Sequence, residues 1–183
     1  MPTIEEIKKL IDYSVDVKHV REVCERHLLD KDLQPGSPRW NGETTYPDKS
    51  PMTFCTFYAP RVLEELGFDC TPLYHDYGVV WKLNYYWNDA ITMFDNAVEG
   101  SQGLYAETGI REVTREQAFH LAHFGVPCFI ASREYVGHVA VAIDEPDLVA
   151  NAGSAAVMGI KPIADIFYKY NLKPRFFQLR KKP

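Results

Sequence analysis

Three apolar runs near the end of the chain, residues 126–131, 137–143 and 148–152, constrain the fold more than any other feature. Each has the length of a strand and carries β-branched residues, and the segments between them, 132–136 and 144–147, are short and polar. Parallel neighbours need a crossover of a dozen or more residues, so connections this short predict an antiparallel meander. Residues 175–179 read as a closing strand.

Ahead of the meander the period is helical. Thr3 and Glu6 have capping-box spacing, and Ile4, Ile7, Leu10 and Ile11 then share one face. A second helix is expected over 17–29, burying Val20, Val23, Cys24 and His27. Residues 30–51 are rich in Gly, Pro, Ser, Asn and Asp, but Trp40 and Tyr46 predict a loop that packs rather than a free tether. A third helix starts at Cys55, with Thr53 placed to cap it, Val62, Leu63 and Leu66 on one face, and Gly67 to close it. Pro60 falls inside it and predicts a kink or an irregular start. The aromatic-rich stretch 81–94 reads as helical, 100–109 as a loop, and Thr114 with Gln117 as a capping box leading into Ala118, Leu121, Ala122 and Phe124. Residues 161–170 read as a last short helix with Pro162 in its first turn. Helices first and sheet afterwards make an α+β domain the natural class.

At 183 residues with 46% hydrophobic side chains, the chain suits one domain with an N-terminal extension. A net charge of -5 argues against a sequence-independent nucleic-acid binder, and the only basic run, Arg180, Lys181 and Lys182, reads as a solvated end. No basic leader precedes an apolar core, and no run approaches the roughly 18 apolar residues of a membrane span. The expectation is synthesis in the cytoplasm without a signal peptide. The four cysteines at positions 24, 55, 70 and 128 are too scattered for a disulfide framework.

Cys55 stands where a nucleophile would be prepared. In the first turn of a helix, unpaired N–H groups and the positive end of the dipole favour a thiolate over a thiol whose free pKa is about 8.5. The bland alternative is a small apolar core residue. His138 opens a strand, with Ala140 and Ala142 on its face and Val139, Val141 and Ile143 on the other. Gly137 before it allows close approach of a neighbour, so a helix-borne cysteine packed on this sheet would come within reach of the imidazole. Asn151 is the one polar residue in the next apolar run, and its amide oxygen would fix the ring tautomer.

These residues together resemble the papain-like bacterial cell-wall hydrolases, the NlpC-type endopeptidases and CHAP amidases, many of them from phage. Thr53-Phe-Cys55-Thr-Phe-Tyr is similar to the segment around their helix-borne nucleophile, and Gly137-His138-Val-Ala-Val-Ala-Ile to their Gly-His-Val strand. Val149-Ala-Asn151-Ala-Gly153 falls at the third polar position. The resemblance spans residues 46–179 and implies a papain-like fold over 46–183, with 1–45 as a helical extension. It implies a Cys55-His138-Asn151 triad acting without cofactor or metal on amide bonds of peptidoglycan peptides, as in a phage lysin or an antibacterial effector delivered to the wall with a possible inhibitor or delivery partner. Members carry a glutamine or asparagine beside the cysteine, or a tyrosine about a dozen residues before it. Here Thr56 follows Cys55 and Tyr46 is the nearest upstream tyrosine, so Tyr46 and Thr56 are the expected oxyanion or substrate-binding groups beside the Cys55 backbone N–H.

Two other readings compete. One is a catalytically inactive papain-like binding module. The other is a zinc protein, since Cys24 with His27 and His120 with His123 each sit about one helical turn apart and would form a site if their helices met. Cys24 and Cys128 read as core. Cys70 has only His75 as a nearby histidine in sequence and is not expected to react. Residues 73–78 are expected to line a substrate groove through Tyr74 and Tyr77.

Overall fold

The computed structural model describes residues 14–37, 54–74, 90–135, 137–154 and 157–183. The expected first helix, Trp40, Tyr46, Thr53, His75, Tyr77 and the four aromatic residues between 81 and 87 lie outside them.

The class is α+β. Six antiparallel strands form one sheet in the order β1-β6-β2-β3-β4-β5, with β1 at Ile110–Val113, β2 at Cys128–Ser132, β3 at His138–Asp144, β4 at Leu148–Asn151, β5 at Gly159–Pro162 and β6 at Arg175–Leu179. The expected meander is β2, β3 and β4, with Cys128 across from Ala142 and Ser132 across from His138. All five residues of β2 are buried, as are five of the seven in β3, because helices cover both faces.

One face carries α1 (Val17–Leu28), α2 (Cys55–Glu65) and α3 (Ala90–Ser101). Their apolar stripes, including Val20, Val23, Leu63 and Met93, close a core over Val139, Val141, Ile143 and Ala150. The other face carries α5 (Arg115–His123) and the one-turn α6 (Ile163–Ile166), which with Phe167 cover Ile130, Ala140, Ala142 and Val149. The short α4 (Tyr105–Thr108) precedes β1.

Local chemistry explains where two of the helices begin. Asp16 caps α1 by accepting from Lys18 N at 2.8 Å, and Arg26 and His27 occupy its last turn, where cations suit the dipole. The α5 capping box forms in both directions, Thr114 Oγ1 accepting from Gln117 N at 3.2 Å and Gln117 Oε1 from Thr114 N at 2.9 Å. Several expectations need correction. The N-cap position of α2 is Phe54, which supplies no side-chain hydrogen bond, and Pro60 lies within the helix. The loop expected over 100–109 contains the end of α3 and all of α4. β5 occupies 159–162, so Pro162 ends a strand at the position before α6 rather than standing inside a helix.

The α1 helix, placed in an extension by the sequence reading, packs directly on α2. Tyr58 Oη donates to the Cys24 carbonyl oxygen at 3.1 Å, His27 Nε2 lies 2.7 Å from Glu65 Oε2, and Arg26 pairs with the same carboxylate. His27 therefore meets the Glu65 carboxylate at the edge of the core rather than being buried.

Candidate functional site

α2 has a fixed direction relative to the sheet. Its closing residues are moored to the segment after β6: Lys182 N donates to Gly67 O at 2.7 Å, Asp69 N to Arg180 O at 2.7 Å, and Phe68 bridges Lys181. β6 runs from Arg175, across from Ala131, to Phe177, across from Phe129, so its far end lies where β2 begins and β3 finishes. The body of α2 then lies along β3 and β4. Its first turn, with Cys55, is directed to the opposite end of the sheet, where His138 begins β3.

Burial separates Cys55 from the other three cysteines. Cys24, Cys70 and Cys128 have no exposed surface, whereas Cys55 keeps 7%. Desolvation pushes the thiols of Cys24 and Cys128 up to about 12, the Tyr58 hydroxyl opposing it at Cys24, and pushes Cys70 well above its ordinary value. These three are inert core residues. The first turn of α2 holds no acidic side chain that would oppose a thiolate. Thr56, beside Cys55, is also 7% exposed.

His138 and Asn151 are brought together. Val149 pairs with Ala142 and Ala150 with Val141; continuing that register sets Asn151 across from Ala140 and Gly153 across from His138. Strand alternation puts both polar side chains on one face. A Cβ built on Gly153 would lie 2.9 Å from Asn151 Nδ2 and 3.3 Å from His138 Cε1, so the absence of a side chain there is what lets the two approach. Asn151 is fully buried, and its Nδ2 donates to Val157 O at 3.0 Å, which leaves Oδ1 aimed away from that bond. The Phe167 ring closes over the imidazole with centroids 5.2 Å apart. Desolvation pushes the His138 pKa down to about 4, with the Asn151 carboxamide acting in the opposite sense. Buried Nε2 and Oδ1 adjoin without completing a hydrogen bond of good geometry. The ring is thus neutral at pH 7. A proton on Nε2, facing the amide oxygen, would leave Nδ1 as the basic nitrogen.

Cys55 and His138 lie against different parts of the core. Cys55 belongs to the cluster with Val139 and Val141, whereas His138 alternates with them and sits against Phe167 in the other cluster. The thiol-bearing helix and the His138-Asn151 pair share one end of the sheet, on either side of the start of β3. Gly137 does admit a close neighbour, but that neighbour is α3: a Cβ on Gly137, at φ +73°, would lie 2.8 Å from Ile91 N and 2.9 Å from Ala90 Cβ. The sequence reading had assigned this space to the cysteine helix.

Other expected groups separate. Cys24 and His27 are on α1 and His120 and His123 on α5, on opposite faces of the sheet, so the helices of the zinc reading do not meet. His120 instead lies 3.1 Å from Glu145 and His123 2.9 Å from Asp144. Among the described residues no group of three or more His, Cys, Asp or Glu could hold a metal. Tyr74 is buried in the 3-10 turn Thr71–Tyr74 and packs in the core rather than lining an open groove. Among the described residues no helix is long and apolar enough to cross a membrane.

The sequence reading missed Ser132. It is fully buried at the end of β2, directly across from His138, with its hydroxyl on the same face. A polar residue closing an apolar strand opposite a histidine was the available signal. No family model matches the chain, and neither a curated protein nor a solved structure matches it.

Proposed function

We propose that the protein is a papain-like cysteine hydrolase that cleaves amide bonds in peptidoglycan peptides, with Cys55 as nucleophile, His138 as base and Asn151 as the group that orients the imidazole. The observation that carries this reading is the pairing of half-buried His138 with buried Asn151 at the end of the sheet toward which the first turn of α2 points. The substrate class comes from the resemblance of the three sequence segments, and neither stem-peptide cleavage nor cleavage at the sugar-peptide amide is favoured over the other.

In this reading the thiol proton passes to His138 Nδ1 and the thiolate attacks the carbonyl carbon. The imidazolium returns that proton to the amide nitrogen as the C–N bond breaks, releasing an amine and leaving a thioester. His138 then takes a proton from water, hydroxide adds to the thioester, and the acid leaves as the thiol is restored. Asn151 Oδ1 holds the Nε2–H throughout. The backbone N–H of Cys55 is the first oxyanion donor in this scheme. The chemistry requires Nδ1 and the thiol to meet around the start of β3.

The decisive experiment is the rate of iodoacetamide labelling of Cys55 against pH in the wild type and in His138→Ala, followed by digestion of peptidoglycan fragments with Cys55→Ala as control. Rapid labelling at neutral pH that depends on His138, with new amines released only when Cys55 is present, is the expected result. Slow labelling indifferent to His138 removes the hydrolase reading.

A second reading is favoured by the alternation along β3, which turns His138 away from the face on which the body of α2 packs. The module would then bind wall peptides without cleaving them. Equal fragment binding by wild type and Cys55→Ala, with no hydrolysis by either, is its signature.

A further inference from the structure

Three buried side-chain atoms on three adjacent strands have no hydrogen-bond partner among the described residues: Ser132 Oγ on β2, His138 Nε2 on β3 and Asn151 Oδ1 on β4. Ser132 and Asn151 are fully buried, so bulk water cannot satisfy them. The ladder puts all three on one face, with Ser132 directly across from His138 and Asn151 flanking the ring from the other side. That face is otherwise closed by apolar groups, including Phe167, Ile130 and Ala140. Orphaned polar groups in an apolar enclosure are destabilising if unmet. Here they converge instead of being scattered.

We infer that Ser132 is a positioning residue for His138: its hydroxyl joins His138 Nε2 and Asn151 Oδ1 in one buried hydrogen-bond network, closed by an internal water, that fixes which ring nitrogen carries the proton. The inventory balances. Nε2–H and the Ser132 hydroxyl both donate to the water oxygen, and the water donates to Asn151 Oδ1, so each of the three groups gains a partner. A water with about three partners in a buried polar site is the usual way such groups are met. The network consists of groups on β2, β3 and β4 alone and does not depend on Cys55. Its use in catalysis rests on the hydrolase reading.

The test reads the ring itself. In 15N-labelled protein, long-range proton-nitrogen correlations give the His138 tautomer, and exchange of the Nε2 proton and its cross-relaxation with water report the network. The wild type is expected to hold the Nε2–H tautomer with a slowly exchanging proton that contacts a bound water. Ser132→Ala, which removes a single oxygen, should shift the tautomer ratio about threefold or more and speed the exchange, the change expected from losing one net hydrogen bond. Cys128→Ala, a truncation on the same face of the same strand, should leave both unchanged. An unaltered tautomer and exchange rate in Ser132→Ala overturns the proposal, and so does an equal shift in Cys128→Ala, which would mark a packing effect. Failure of hydrolysis with the expected NMR pattern would sink the hydrolase reading and leave the network standing; active enzyme with no response to Ser132→Ala would do the reverse.

Discussion

His123 Nδ1 lies 2.9 Å from Asp144 Oδ1, which ties the last turn of α5 to the end of β3. The hydrogen bond to Asp144 is the main reason the His123 pKa is raised above 6.5, with Glu145 and the Asp144 charge adding to it and desolvation opposing it. A histidine with a raised folded-state pKa contributes stability below its unfolded value and loses it as pH rises through the folded one. Melting temperatures of wild type and His123→Gln should therefore differ most near pH 5.5 and converge above the raised pKa. The pair is exposed, so the difference should also shrink in high salt. A gap that persists unchanged at pH 9 would show that the ion pair is not its source.

His138 has the opposite sign. Its folded pKa is pushed down to about 4 by desolvation, so below pH 6.5 the unfolded chain takes up a proton that the folded one refuses. Stability present above pH 6.5 is lost as pH falls toward 4, by up to about 3 kcal/mol for this group. Urea titrations at pH 7 and pH 4.5 should show a smaller loss in His138→Gln than in the wild type. Identical losses would mean that His138 titrates normally in the folded protein.

Gly137→Ala should destabilise the fold by about 2 kcal/mol. Its φ of +73° disfavours any side chain, and the new Cβ would press on the backbone nitrogen of Ile91 at 2.8 Å. The urea midpoint should fall with an unchanged m-value. Because the start of α3 is displaced next to His138, the His138 ring resonances should shift as well.

How much of this was written in the chain depended on how local the cause was. The α5 capping box, Asp144 to Asp147 as a turn, and the β2-β3-β4 meander need only neighbours in sequence, and they fold as read. β1 and β5 were not legible because each is a short edge strand of four residues carrying charge or proline, with Arg111 and Glu112 in one and Lys161 and Pro162 in the other. Edges protect themselves with such residues, which blunt the apolar signal by which strands are recognised. Likewise Tyr74 reads as lining a groove because tyrosine spacing carries no information about burial. The joining of His138 to Asn151 was legible from strand alternation. Which side of β3 faces α2 was not, since it is decided by packing on both faces of the sheet.

Native-state alkylation separates the four thiols. At pH 7.5, intact mass should show a single iodoacetamide adduct, mapped to Cys55, with Cys24, Cys70 and Cys128 modified only after denaturation. Adducts on Cys24 or Cys128 at a comparable rate would contradict the burial that pushes their thiols up to about 12.

β6 is last of the strands in sequence and yet lies between β1 and β2. During synthesis β2 to β5 can zip together as they emerge, while β1 waits for a partner more than sixty residues downstream, its register running from Ile110 with Leu179 to Val113 with Phe176. The mooring of α2 beyond Leu179 comes later still. On the ribosome, then, the helix that bears Cys55 acquires its final orientation only after the sheet end bearing His138 and Asn151 has formed, and β1 joins the sheet only when β6 docks on β2.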